Sequence, residues 1–184
     1  GNVETALSRA RPGEAERFRA NLDRFRRRLD EALFGPVLVA SAGGDRLAEE
    51  LGSVPWEEFL QREAPPEKEG GPPRPYRDLM GGWLARAAPL RGAAFVEYHR
   101  QFVYFAARFG FEIAGQIEPK PGIPPTARHV QQLTERMERD GVRTILSTVF
   151  YERETPRRLA ERTGARLRVV PLSVGGADGV EDYF

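Results

Sequence analysis

Four short apolar runs, each separated from the next by a stretch of helical spacing, frame the second half of this chain. Residues 93–98, 111–117, 144–150 and 167–172 are rich in β-branched and aromatic side chains and are bounded by turn residues. Between the first two, Phe102, Phe105, Ala106 and Phe109 fall on one helical face, and Gly110 follows as a C-cap. The next helix has Thr126 at its N-cap position, turns Val130, Leu133 and Met137 inward, and ends at Gly141. A third helix stops at Gly164. Alternation of this kind specifies a parallel sheet with helices on both faces. The predicted fold class is α/β, with a sheet of about four parallel strands.

The first half reads differently. Residues 13–34 form one long helix, because Phe18, Leu22, Phe25, Leu29 and Leu33 recur as a single apolar stripe. Arg17, Arg24, Arg27 and Arg28 line its other face, interleaved with acids, which reads as a solvated surface and not as a nucleic-acid grip. Pro12-Gly13 separates this helix from a short helical piece around Val3–Ser8. Residues 35–90 are an irregular, mostly helical insert containing a Pro/Gly-rich loop at 64–75, with five prolines and two glycines. Within it, Gly81-Gly82 either weaken a helix or admit a close backbone approach. The expected organisation is a helical linker at 1–34, the insert at 35–90 and an α/β lobe at 91–184.

Composition removes several functions. The 28 Lys+Arg and 27 Asp+Glu leave a net charge of +1, so nothing concentrates phosphate and no nucleic-acid partner is expected. No apolar run approaches the roughly 20 residues that span a bilayer. The start also lacks a signal-peptide pattern. Cysteine is absent, which excludes disulfides, thiolate zinc sites and cysteine nucleophiles. The two histidines, His99 and His129, limit any metal site made by this chain to two imidazoles beside carboxylates or water.

In parallel sheets, ligands bind beyond the carboxyl ends of the strands. The residues leaving those ends are Glu97 to Arg100, Glu118 to Pro125, Phe150 to Glu152 and Ser173 to Gly176. Neither GxGxxG nor GxxxxGK[ST] occurs, and the GxSxG nucleophile elbow is also missing. No enzyme is therefore expected. His99, where a strand gives way to a helix, is the best-placed chemical group.

The run from Tyr98 to Leu146 resembles the carboxyl-terminal lobe of metal-binding solute-binding proteins of zinc and manganese ABC importers, the zinc-uptake and adhesin-lipoprotein family. In that family a Tyr-His pair ends a strand ahead of an aromatic helix, an EPxPGxxPS-like turn enters the next helix, and a Thr-Gly-Ala precedes the last strand. The counterparts here are Tyr98-His99, Phe102 to Phe109, Glu118 to Thr126, and Thr163-Gly164-Ala165. Residues 1–34 are similar to the helical region between the family's two lobes.

The resemblance implies zinc, or manganese, held between two lobes and presented to an ABC permease outside the cytoplasm. The full-length form is expected to be a periplasmic, membrane-anchored lipoprotein. His99 matches the carboxyl-lobe histidine ligand. Val170 stands where the family commonly has a ligand Asp, so Asp178 and Asp182, further along, are the candidate substitutes. Glu118 is a candidate acceptor orienting His99. His129, in the first turn of its helix, is read as a surface residue. The amino-terminal lobe is expected to be a missing partner, and the surface it leaves could drive self-association. The alternative is an interaction module of this fold that has lost metal binding, which Val170 favours.

Overall fold

The computed structural model describes residues 2–66, 71–120 and 122–175. The chain divides at Pro89/Leu90 into two compact units.

The first unit is helical. Helix α1 (Asn2–Ala10) leads through a 3-10 turn at Pro12–Glu14 into α2 (Ala15–Phe34). The stripe expected to face a core is half open. Phe25 is 45% and Leu29 37% exposed, and Phe34 is the residue of α2 that is buried. Short helices follow α2 through the insert, interrupted by a small ladder. They include α3 (Pro36–Ala42), α4 (Gly44–Ser53), α5 (Trp56–Gln61) and, after the ladder, α6 (Tyr76–Leu79). The ladder pairs β1 (Glu63–Ala64) antiparallel with β2 (Arg74–Pro75), which the Pro/Gly-rich sequence between them did not suggest. Phe34, Leu38, Leu47, Phe59 and Tyr76 form the buried centre, with the Phe59 ring 5.2 Å from Tyr76 edge to face. Glu50, nearly buried there, accepts from the Tyr76 hydroxyl at 2.8 Å and Arg46 Nε at 2.9 Å, and pairs with Arg62 at 3.1 Å.

Helix α7 (Gly82–Ala87) starts where two glycines let main chains touch. Gly35 has φ +88°, and a side-chain carbon on it would sit 2.6 Å from the Gly81 Cα. The Gly81 N–H donates to the Phe34 carbonyl at 2.7 Å. Gly81-Gly82 thus serve the close backbone approach.

In the second unit the strands are β3 (Ala94–Glu97), β4 (Glu112–Gln116), β5 (Thr144–Thr148) and β6 (Arg166–Val170), alternating with α8 (Val103–Phe109), α9 (Ala127–Arg139) and α10 (Glu154–Thr163). All pairings are parallel, in the order β4-β3-β5-β6. The period-two alternation of β3 sends Val96 to one face and Phe95 to the other. Val96 packs with Ile145, Leu133 and Met137 of α9 and Leu159 of α10. Phe95 meets Phe102, Phe105 and Phe111 edge to face, beneath α8. Helices therefore cover both faces, as expected. The α8 side is thinner than its spacing suggested, because Phe105 is 42% exposed. Thr126 caps α9 by accepting from the His129 N–H at 3.2 Å, and Gly110 and Gly164 close α8 and α10 in the left-handed conformation.

Candidate metal centre

The candidate site is at the carboxyl end of β3. Tyr98 and His99 lie in the bend that follows β3 before α8. Tyr98 is buried toward α9 and α10, and His99 is half-buried.

His99 Nδ1 lies 2.9 Å from the Glu118 main-chain carbonyl. A carbonyl only accepts, so Nδ1 donates, and in the neutral ring Nε2 carries the lone pair. Glu118 thus orients His99 through its backbone. Its carboxylate is used locally, accepting the Gly122 N–H at 2.6 Å and shaping the turn after β4. The Glu118 N–H in turn donates to the Tyr98 carbonyl at 2.8 Å, which locks the two strand ends together.

Tyr151, in the turn after β5, closes the other side. Its ring is 6.4 Å from the His99 ring, edge on, and it receives a hydrogen bond from Gln101 Nε2 at 3.1 Å. It also stacks on Tyr98. The Tyr98 hydroxyl donates to Glu152 Oε1 at 3.3 Å. Burial, then the Glu152 and Glu118 charges, push the Tyr98 phenol up to about 12. Burial acts to raise the Glu152 carboxyl as well, but hydrogen bonds from Thr155, from the Glu154 N–H and from Tyr98 outweigh it and hold it below the usual carboxylate range.

His129, read from sequence as a surface residue, is only partly exposed. Its Nε2 donates to the Gln116 carbonyl at 2.8 Å, pinning the start of α9 to the end of β4. Val170 ends β6 as a half-buried aliphatic side chain. Asp178 and Asp182 lie outside the described residues. Among the described residues no three His, Asp or Glu side chains gather into a metal-holding group. One rigid imidazole, Nδ1 anchored and Nε2 available, is what this face offers.

Glu97 and Tyr151 fall in the strand-end runs marked from sequence but were given no role there, and Gln101 was not singled out. Glu97 carried the one readable signal, an acidic residue inside an otherwise apolar strand run, at a position that burial makes costly unless bonded.

The description of a zinc-uptake complex component A, periplasmic (ZnuA), matches residues 79–184. The high-affinity zinc uptake system protein ZnuA of Brucella abortus is 29% identical over 100 residues, covering 54% of this chain and 30% of its own length. The chain therefore spans about a third of the length of the curated relatives it matches. Among solved structures, the laminin-binding protein Lmb of Streptococcus agalactiae superposes with a TM-score of 0.55 at 17% identity, over 92% of this chain and 47% of Lmb. The solute-binding protein FpvC of Pseudomonas aeruginosa, in complex with Mn2+, gives 0.53 at 14% identity, over 91% and 46%. At such identities these structures speak for the fold. Family and neighbours are binding proteins of metal uptake and adhesion, not enzymes. With the family matched across more than half its residues, including the whole of the α/β unit, the chain belongs to the ZnuA family of zinc-uptake complex components.

Proposed function

We propose that this chain is part of an extracytoplasmic solute-binding component that captures zinc, with manganese as the alternative cargo, and presents it to an ABC permease. The observation that carries the reading is the His99 geometry: the Nδ1–H anchored on the Glu118 carbonyl at 2.9 Å, at the carboxyl end of a parallel sheet, in the segment that matches the zinc-uptake family. Neutral imidazole suits zinc, and a ligand anchored through its second nitrogen is fixed in both tautomer and direction.

Zinc that must be taken up and released needs about three protein ligands. His99 is one. Asp178 and Asp182 are the candidates on this chain, and the remaining donors belong to the amino-terminal lobe of a two-lobed protein. Membrane attachment belongs to the same full-length form. Among the described residues no helix is long and apolar enough to cross a membrane. Capture then involves no covalent chemistry. His99 exchanges water for cation, and the anchored Nδ1 keeps the ring from turning away.

A cobalt(II) titration followed by visible absorbance tests this. A ligand-field spectrum that saturates with one metal and is displaced by zinc supports the reading, and its loss in Asp178→Ala or Asp182→Ala names the carboxylate. A featureless titration opposes it. The second reading, an interaction module of this fold without metal, is favoured by Val170 at the position where the resemblance expects a ligand Asp. Val170→Asp creating cobalt binding that the natural chain lacks would support that second reading.

A further inference from the structure

Glu97, the last residue of β3, has no exposed surface. A carboxylate at that depth is costly unless its oxygens are bonded. Oε2 accepts from the main-chain N–H groups of Gln101 and Phe102, both at 3.0 Å, and Oε1 accepts from Gln116 Nε2 at 2.9 Å. The first two bonds close residues 97–102 into a loop with His99 inside it. The third reaches the end of β4, two residues before the Glu118 carbonyl that receives His99 Nδ1. Glu97 therefore ties together the main chain that carries His99 and the main chain that anchors it. Gln101, whose N–H it holds, also sets Tyr151 against the edge of the His99 ring.

We infer that Glu97 is a positioning residue for metal capture: its buried carboxylate fixes the His99 loop so that Nδ1 stays on Glu118 and Nε2 faces the cation. The inference rests on His99 being a metal ligand. Its mechanism is geometric. Two main-chain N–H groups converge on one oxygen, which a glutamine amide oxygen reproduces while Gln116 turns its own amide to accept. An aspartate keeps the charge but draws the carboxylate back by one methylene, out of reach of both N–H groups.

The test compares Glu97→Gln with Glu97→Asp. In metal-free, nitrogen-15-labelled protein, the His99 ring of the natural chain gives the signals of a single Nδ1–H tautomer. Glu97→Gln retains them and keeps zinc affinity within about threefold, whereas Glu97→Asp averages the tautomers and weakens zinc by about tenfold to a hundredfold. Gln116→Ala, which removes the third donor and leaves Glu97 in place, is the second variant and loosens the same tautomer. Unchanged His99 signals in both Glu97→Asp and Gln116→Ala overturn the assignment. So does a Glu97→Gln protein as defective as Glu97→Asp, because the two main-chain bonds that an amide oxygen reproduces would then not be what holds His99 in place. If the natural chain takes up no zinc, the ligand reading fails, while the tautomer signals of the metal-free protein still decide the role of Glu97.

Discussion

Tyr98 and Tyr151 stack face to face, their ring centroids 4.4 Å apart and their planes 9° from parallel. The pair joins the end of β3 to the turn after β5, and it buries the Tyr98 hydroxyl against Glu152. Burial is the leading reason that this phenol is pushed up to about 12, with the Glu152 charge next. A phenol that holds its proton more tightly when folded adds stability that is fully present below its ordinary value near 10. That stability is lost as pH rises from there through 12. Tyrosinate absorbance should show a phenol that ionises above its ordinary value near 10 and is lost in Tyr98→Phe. Tyr98→Phe should flatten part of the fall in unfolding free energy between about pH 10 and 12.

Glu152 opens α10 by accepting from the N–H groups of Glu154 at 2.6 Å and Thr155 at 3.1 Å, the work of an N-cap acceptor. Glu152→Ala should cost about 1 kcal/mol in urea unfolding at neutral pH. Because the folded carboxyl lies below its ordinary range, its contribution is present above the unfolded value. It disappears as pH falls through the folded one. The difference between the natural chain and the Ala variant should therefore shrink in acid. The acid-linked part is small, since the side chain is exposed and screened.

Gly35→Ala should destabilise the helical unit by about 1–3 kcal/mol from its backbone conformation alone, before the clash with Gly81 is counted. Gly81→Ala meets the Gly35 Cα at 3.2 Å from an ordinary negative φ, and Gly13→Ala meets nothing within 4 Å. Denaturation midpoints should fall in the order Gly13→Ala, Gly81→Ala, Gly35→Ala. Equal midpoints for the last two would remove the special role of Gly35.

The strand and helix rhythm of the second unit was readable because its signals are local. Gly110, Gly141 and Gly164 follow their helices, Thr126 precedes one, and apolar runs fill the strands. The proposed role of His99 rests on its place at a strand end and on the Tyr-His pairing, both local features of the sequence. Glu97 was not, because its partners Gln101, Phe102 and Gln116 come together only once β3 and β4 pair. The Glu118 group that meets the His99 ring is its main-chain carbonyl, which carries no residue-specific signal. The apolar stripe of α2 had the right period for a helix, yet period does not say what covers it, and Phe25 and Leu29 remain substantially exposed. The β1–β2 ladder was hidden by prolines, which argue against strands except at edges.

The most direct test is a calorimetric zinc titration of the metal-stripped protein beside His99→Ala. Changing a residue that merely orients a ligand costs about tenfold to a hundredfold in affinity, so removing the ligand itself should cost at least that much. The account predicts saturable zinc binding by the natural chain and its loss in His99→Ala, with unchanged circular dichroism. Zinc binding of equal strength in the two proteins, or none in either, contradicts it.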